Sequence, residues 1–507
     1  MNRGIQVAGA FFALFASLAA NGQTPLGEQG ARALLTRATF APSRAEVERI
    51  APLTQAQAVE RLLASGGVSA ARPAPAWINE RVLAPRELRA LSDEQRMAEQ
   101  RENVRRSVEL RAWWLQEMAA TDSPLAERMT LFWHNHFVSA QPKVRAPQLM
   151  YRQNVLLRRH ALGNFRELLH AASKSPAMLV YLDSLNNRKG APNENFAREV
   201  MELFTLGEGN YAEADIKEAA RAFTGWSLDL QKQDFVFRRA LHDDGEKSVL
   251  GVRGKFDGDA VLDVLLTQPA AARFIVTKLW REFVSPTPDP ARVEAIAAAF
   301  RAGNYEIKVV LREILLQPEL VSRTAENALI KSPVELVIGF MRQSGAQFAS
   351  PAAFAIQVAG MGQNVFSPPN VRGWPGGEAW INTQTLLARK QFLERVVVAS
   401  TQPESTNRMA MAPPPAENRA PGGALAPTAD PGAQLVRQLA GAVPARIDAD
   451  AWLKSAQLHA ERMVDESGRA RLERSLLVVP AVGTARADAL GLDALRTVLL
   501  DPAYQMK

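Results

Sequence analysis

The sequence predicts a mainly α, multi-helical globular protein with a small β-hairpin insertion near residues 226–250. Apolar residues recur at helical spacing along most of the chain. Between residues 224 and 255 the period changes, because Phe235 and Phe237 alternate with polar residues. The 507-residue chain is 47% hydrophobic, which is enough to bury a large core.

The first 22 residues have the pattern of a secretory signal peptide. Arg3 supplies one positive charge, residues 5–18 form a short apolar run, and small residues follow it. A membrane anchor needs about 20 apolar residues, and no later stretch approaches that length either. We therefore expect cleavage after Ala20 or Gly22, no membrane span in the mature protein, and a periplasmic or secreted location.

Composition narrows the chemistry. The chain contains no cysteine, which excludes thiol nucleophiles, iron–sulfur clusters and zinc–thiolate sites. The formal net charge of +7 favours anionic polymers, lipid headgroups or acidic partners, and solubility alone is the alternative interpretation. Lysines and arginines are scattered among acidic residues without a long basic block, so we expect no nucleic-acid binding.

The helical pattern divides the chain into segments. Residues 27–64 predict two short helices, residues 70–85 a linker, and residues 86–109 a long solvated helix. Several helices follow over residues 123–205, and helices resume over residues 259–345.

Proline and glycine mark boundaries within these segments. Pro124 and Pro176 each follow a serine and predict first helical turns, and Pro333 is expected to begin a helix. Asp244-Gly245 is a hairpin-type turn signal.

We expect four parts along the chain. They are the signal peptide 1–22, a helical domain 23–400 that contains the hairpin, a disordered Pro- and Ala-rich insertion 401–432, and C-terminal helices 433–507 that pack on the main domain.

Several sequence blocks occur together in an order that is specific to one family. The blocks are Ala33–Phe40, Arg128–Phe137, Asn193–Glu199, Ala222–Trp226, Leu241–Lys247, Lys331–Leu336, Pro368–Gly377 and Asp501–Gln505. On these blocks the chain resembles the bacterial proteins of the domain of unknown function 1800 family over nearly its whole mature length. The resemblance implies an exported, largely helical protein without an established activity, often encoded beside a second secreted protein of sulfatase-like character.

Two positions depart from the family pattern. Ala41 stands where glycine is usual, and Ala212 stands where threonine is usual. Ala212 would precede a helix, and the loss of a capping hydroxyl costs about 1 kcal/mol. Neither departure removes an obvious chemical group.

His134 and His136 lie in a segment with helical spacing. A His-x-His metal pair suits a strand, since residues two apart on a helix lie about 200° apart around its axis. The apolar positions place His136 on the buried face and His134 opposite, so at most one of them should face the interior unless the helix ends near Trp133. His136 is then either a buried, hydrogen-bonded residue or a ligand or general base.

Three carboxylates, Glu194, Glu199 and Glu202, fall within one short stretch. Glu199 lies at the edge of an apolar helix face, where a carboxylate must be paired or become protonated. One interpretation is an internal ion-pair network with an arginine such as Arg221, in which Arg198 pairs with Glu202. The other is a metal or acid–base site, because clustered carboxylates raise one pKa or attract a hard cation.

His242 and Asp243 come at the predicted hairpin turn. Asp243 and Asp244 are able to bind Ca²⁺, but the twelve-residue calcium-loop spacing is absent, and turn formation is the alternative. His242 is the better candidate, since strand ends often carry reactive groups at a cleft.

A loop-rich segment, residues 363–383, carries Trp374, Trp380 and Asn382. We interpret these three as substrate-binding residues of a rigid aromatic loop that stacks on a sugar ring or lines a groove. A packed loop anchored by tryptophan is the alternative. The chain has no Gly-x-Ser-x-Gly, Walker or dinucleotide fingerprint.

These residues predict two alternative functions. One is a metal-assisted hydrolase of an extracellular or envelope polymer, with Glu199, Glu202, His136 and His242 catalytic and a divalent metal held by His136, Glu199, His242 or Asp243. The other is a non-catalytic helical scaffold or binding partner of a secreted sulfatase-like protein. An enzyme should gather these residues in an open pocket, whereas a scaffold should bury them in closed networks.

Overall fold

The computed structural model describes residues 24–64, 69–229, 231–322, 324, 328–400, 431–439, 441–483 and 489–507. The predicted signal peptide and residues 401–430 of the predicted insertion lie outside the described residues.

The structure confirms the predicted mainly α fold, with 62% of the chain in helices and only small two-stranded sheets in its described part. The helices of the first half are Gly27–Ala38 (α1), Arg44–Ile50 (α2), Gln55–Ala64 (α3), Pro85–Ala90 (α4), Asp93–Ala120 (α5), Pro124–His136 (α6), Gln141–Val144 (α7), Pro147–His160 (α8), Phe165–Ser173 (α9), Pro176–Tyr181 (α10), Asn195–Glu199 (α11) and Glu213–Ala222 (α12). The later helices are Gly258–Thr267 (α13), Pro269–Phe283 (α14), Pro290–Ala302 (α15), Ile307–Leu315 (α16), Pro333–Ser344 (α17), Pro351–Gly360 (α18), Thr383–Ala399 (α19), Pro431–Leu439 (α20), Ala449–Ser455 (α21), Glu466–Leu476 (α22) and Gly491–Leu500 (α23).

The predicted β-hairpin is present, but its turn is not at Asp244-Gly245. Strand Trp226–Asp229 (β1) pairs antiparallel with Asp234–Phe237 (β2), and Lys247–Val249 (β3) pairs with Val252–Gly254 (β4). Asp244-Gly245 instead precedes β3, where the Gly245 amide donates to the Asp243 carboxylate at 2.9 Å. A side chain therefore closes this turn, and no strand pair flanks it.

The remaining strands are short. Gln347–Phe348 (β5) pairs antiparallel with Ala445–Arg446 (β6), and Met463–Val464 (β7) pairs with Ala489–Leu490 (β8).

Local capping explains where the helix boundaries differ from the prediction. Residues 27–64 form three helices rather than two, because Ser43 and Glu46 make a capping box that starts α2. The long charged helix begins only at Asp93, where Ser92 accepts from the Gln95 amide. Pro124, Pro176 and Pro333 begin α6, α10 and α17 as predicted.

The two departures from the family pattern both have a structural consequence. Ala41 has a φ of +80°, in the region that favours glycine, and the carbonyl of Phe40 passes so close to α17 that a Cβ on Gly339 would lie 2.4 Å from it. Ala212 occupies the N-cap of α12 and supplies no side-chain cap.

Two apolar clusters form the core. The first joins α1–α3 to α13–α16, and the second joins the end of α5 to α17–α19 and the C-terminal helices α21–α23. Helix α6 lies between them, since Met129 and Phe132 belong to the first cluster and Leu131 to the second. Its side chains are therefore positioned by both halves of the core.

Within the described ranges, no single helix is long and apolar enough to cross a membrane. Helices α13 and α14 pass that test only as a pair, and they are bent by 77°.

Candidate functional site

A cleft of about 520 Å³ lies between α6, α14, the aromatic loop and the segment that leads into α17. Two carboxylates, Glu282 and Glu335, line it together with five cationic side chains. These are Arg128, Lys278, Arg281, Arg372 and Lys507. The cleft is therefore rich in positive charge, which attracts anionic groups.

His136 lies at the end of α6, against this cleft. Its Nε2 is 3.1 Å from the carbonyl oxygen of Phe204, and its Nδ1 is 2.9 Å from the ammonium of Lys278. A carbonyl only accepts, so Nε2 carries the proton and Nδ1 accepts from Lys278. Burial, with the charge of Lys278, holds the pKa of His136 well below its usual value. The imidazole is therefore neutral.

Lys278 projects from α14 onto His136. Burial lowers the pKa of Lys278 to about 8, although Glu282 acts in the opposite direction. Its ammonium also lies 5.4 Å from the centre of the Phe274 ring. Lys278 makes no ion pair with a carboxylate in the described part of the chain, so part of its hydrogen-bonding capacity is available to a ligand.

A buried ion-pair network forms the floor of the cleft. Arg128 contacts both Glu282 and Glu335, and Lys507 donates to Glu335. Burial raises the pKa of Glu335, but Arg128 and Lys507 outweigh that effect and hold it below its usual range. Glu282 and Glu335 are thus already neutralised by Arg128 and Lys507. Neither carboxylate is left to pair with Lys278.

The aromatic loop is anchored on α6 by Asn135. Its amide oxygen accepts from the Trp374 amide at 2.7 Å, and its Nδ2 donates to the Trp374 carbonyl at 3.2 Å. Gly373 has a φ of +81°, and a Cβ there would lie 2.2 Å from the Asn135 oxygen, so only glycine fits. Trp374 and Trp380 line the cleft but are only 5% and 8% exposed.

Asn382 does not line the cleft. Its side chain accepts from the Thr385 amide at 2.9 Å and caps α19. The side-chain oxygen of Asn382 is therefore used in a helix cap. The side chain does not reach the cleft, where the sequence predicted that it binds substrate.

The predicted carboxylate cluster is tied to the loop by Arg372. Glu202 accepts from Arg372 at 2.8 Å and from the Tyr211 hydroxyl at 2.9 Å. Glu199 is half-buried, and burial followed by the charge of Glu202 raises its pKa, against the effect of Arg372. Neither glutamate lines the cleft.

Two of the predicted arginine pairings are wrong. Arg198 pairs with Glu213 at 2.7 Å and not with Glu202, whose carboxylate accepts from Arg372 and Tyr211 instead. Arg221 pairs with Asp243 and Glu218.

His242 and Asp243 lie in a separate network beside the hairpins. His242 is buried, with Nδ1 2.9 Å from the Thr224 carbonyl oxygen, and its ring lies 5.3 Å from that of Phe237. Asp243 accepts from Arg221 at 2.8 Å, which lowers the pKa of the carboxyl to about 2. Neither residue lines the cleft.

The expectation that only one of the two α6 histidines faces the interior is wrong. His134 is 1% exposed and its Nε2 accepts from the Phe366 amide at 3.2 Å. His136 is equally buried, because both clusters of the core surround α6. Helical periodicity distinguishes faces only when one of them is exposed to solvent.

Of the predicted site residues, the cleft brings together His136, Trp374 and Trp380. Across the described residues, no group of three or more His, Asp or Glu side chains is arranged to hold a metal ion. Sequence reasoning missed Lys278, Arg128, Glu335 and Lys507. Lys278 had a signal, because it interrupts the apolar run of α14.

The fold and the cleft define a mainly helical globular protein with a cation-rich cleft built around a neutral histidine. The chain belongs to the family described as Protein of unknown function (DUF1800), whose sequence profile matches residues 33–506. This match confirms the family indicated by the sequence blocks. No curated protein and no solved structure matches the chain.

Proposed function

We propose that the protein is an exported binding protein that holds an anionic group of an extracellular ligand in the cleft between α6 and α14. The observation that carries the proposal is Lys278, whose ammonium rests on neutral His136 instead of a carboxylate. A cation held in this way is available to a carboxylate, sulfate or phosphate, and partial burial strengthens that interaction.

Arg281 and Arg372 extend the positive charge of the cleft. Arg281 is exposed on α14, one turn from Lys278, and makes no ion pair with the described residues. Arg372 is 62% exposed at its side chain while it bridges Glu202 and Glu208. A polymer with regularly spaced anionic groups would contact several of these cations at once.

Sulfate esters are the first ligands to test. The family resemblance implies a neighbouring secreted protein of sulfatase-like character, and sulfate is an anion that this cleft would accept. Trp374 and Trp380 line the cleft but are almost fully buried, so they offer a sugar ring only a small apolar surface. The same cleft would receive an acidic side chain of a partner protein, which corresponds to the scaffold alternative.

Titration calorimetry with sulfated, carboxylated and neutral polysaccharides tests the proposal. We expect the wild-type protein to bind an anionic polymer and not the neutral one, and Lys278→Met to weaken binding about tenfold, which corresponds to about 1.4 kcal/mol. Lys454→Met, at an exposed position outside the cleft, is the matched control. Equal binding by wild type and Lys278→Met would overturn the proposal.

Hydrolysis is a second candidate, favoured by the pKa of Lys278 near 8. A group with this pKa exchanges protons near neutral pH, as a general acid or base must. The metal-assisted form predicted from the sequence has less support, because Glu199, Glu202, His242 and Asp243 do not line the cleft.

Elemental analysis and a reducing-end assay separate these candidates. Stoichiometric metal in the mature protein that is lost in the Glu199→Gln, His136→Ala double variant would favour the metal-assisted hydrolase. Polymer cleavage without metal that is lost in Lys278→Met would favour acid–base hydrolysis. Binding without cleavage would favour the binding protein.

A further inference from the structure

Behind the cleft, two further cations, Arg389 and Lys331, are buried beside the neutral side chain of Gln505. Arg389 lies in α19 and is 0% exposed. The Nη1 of Arg389 donates to the Lys331 carbonyl at 3.0 Å and to the Gln505 amide oxygen at 3.1 Å. One side of the guanidinium is thus satisfied by neutral acceptors.

The other side of the guanidinium has no partner. The Nε and Nη2 of Arg389 and the Nε2 of Gln505 are buried N–H groups without a hydrogen bond to any described residue. In arginine, Nε–H and the adjacent Nη2–H point the same way and form the planar fork that binds anions with two parallel hydrogen bonds. Buried donors are almost always paired in folded proteins, so this edge is free to receive an acceptor.

The charge of the surroundings favours an anion as that acceptor. Lys331 donates to the Tyr504 carbonyl at 2.7 Å and lies 4.4 Å from the centre of its ring, so it too bonds a neutral group. The carboxylate that acts on both Arg389 and Lys331 is Glu335, which is bound directly to Arg128 and Lys507. Burial lowers the pKa of Arg389 to about 10 and that of Lys331 to about 7.

Water fits this position less well than an anion. A water molecule would accept from the fork but would leave the charge of Arg389 facing only the neutral oxygens of Lys331 and Gln505. A halide ion accepts the fork and donates nothing. It also supplies the negative charge that this group of cations lacks.

We propose that Arg389 holds a dehydrated halide ion, chloride under physiological conditions, on its Nε–Nη2 edge. The site is buried and separate from the lining of the cleft, so it does not depend on the proposed ligand there. Its role is structural: the ion joins α19 to the segments around Lys331 and Gln505, which border the floor of the cleft.

Crystals of the wild-type protein grown in bromide test the proposal directly. We expect an anomalous bromide peak within hydrogen-bonding distance of Nε and Nη2 of Arg389. A peak without anomalous signal, or no peak at this edge, would overturn the proposal. This measurement does not depend on whether a variant folds.

Thermal unfolding at constant ionic strength provides a second test. Replacing gluconate by chloride should raise the unfolding midpoint of the wild type by about 2–4 °C. The rise should persist in Lys390→Met, whose side chain is exposed next to Arg389, and disappear in Arg389→Met. A rise that persists in Arg389→Met would contradict the assignment.

Discussion

Lys278 donates a hydrogen bond of 2.9 Å from its ammonium to Nδ1 of His136. The orientation of this pair is determined on the far side of the imidazole, where Nε2 donates to the Phe204 carbonyl at the end of a π-helical turn. Carbonyls at the end of a helix lack intrahelical partners, which leaves this one free for His136. The pair therefore places a cation with a lowered pKa on the wall of the cleft.

Lys278 should react with acylating reagents at a lower pH than other lysines. Its pKa of about 8 lies below the usual lysine value of about 10.4, so the neutral amine is populated at mildly alkaline pH. Mass spectrometry after brief acetic anhydride treatment across a pH series measures the midpoint. Lys454 is the control, because its pKa is raised by a hydrogen bond to Asp450. A common midpoint for the two lysines would show that burial does not perturb Lys278.

Glu335→Gln should destabilise the protein strongly. The substitution leaves Arg128 and Lys507 buried with one fewer carboxylate between them, and breaking such a buried pair costs about 3–5 kcal/mol. Urea unfolding measures the change. Glu394→Gln removes an exposed pair with Arg496, and it should change stability by less than about 1 kcal/mol. Similar effects of the two substitutions would contradict the role of Glu335.

His170 should make stability depend on pH. Burial disfavours its charged form, but hydrogen bonds to Asp259 and Asp263 outweigh burial and raise the pKa of His170 above 6.5. A raised folded-state pKa adds stability that is complete below about pH 6.5 and is lost as the pH rises through the folded-state value. The pKa of Asp259 is lowered to about 2 by His170, so its contribution is lost only in strong acid.

Urea midpoints at pH 5.5 and 8.5 measure the contribution of His170. The urea midpoint of the wild type should lie above that of His170→Gln, and the gap between the two midpoints should be larger at pH 5.5 than at pH 8.5. Buried His134 and His136 have lowered pKa values and therefore make the protein more stable at higher pH. Their effect is the same in the wild type and in His170→Gln, so it cancels when the two midpoints are subtracted. A difference that does not change with pH would rule out a charged His170.

Gly339→Ala should destabilise the contact between α17 and the segment at Phe40. The new Cβ would lie 2.4 Å from the Phe40 carbonyl oxygen, and overpacking of this kind costs about 1–3 kcal/mol. Gly360→Ala, at the end of α18, has no atom within 4 Å of the new Cβ. It should stabilise the protein by about 0.5–1 kcal/mol. Chemical denaturation measures the free energy of unfolding of both variants. A change in the same direction for the two substitutions would contradict the expectation.

Ala212→Thr should stabilise α12 by about 1 kcal/mol. The backbone of Ala212 already has the extended N-cap conformation, with φ −108° and ψ 161°, so a hydroxyl there reaches the first free amides of the helix. Ala214→Thr places the same side chain inside the first turn, where it should destabilise by a few tenths of a kcal/mol. Unfolding midpoints of the two variants should therefore move in opposite directions.

Much of the fold could be predicted because its signals are local. Prolines after serines marked the starts of α6, α10 and α17, and alternating Phe235 and Phe237 marked a strand. The Asp244-Gly245 turn was misplaced because the Asp243 carboxylate can close a turn without any strand pair.

The candidate site was predicted only in part. His136, Trp374 and Trp380 line the cleft, whereas Glu202 is joined to Arg372 and His242 to Thr224. Periodicity predicts which helix face is exposed only when the helix lies at the protein surface. Helix α6 lies between the two core clusters and has no solvent-exposed face. This is why His134 was expected on the opposite, outer side.

The family and the helical class of this protein follow from its amino-acid sequence alone, because both depend on residue order and on periodicity over a few turns. Which charges meet depends on how the chain packs. Lys278 reaches His136 across 142 residues, and Arg372 reaches Glu202 across 170. The pKa of a side chain depends on burial and on the charges around it, and these are properties of the packed chain that no local pattern contains.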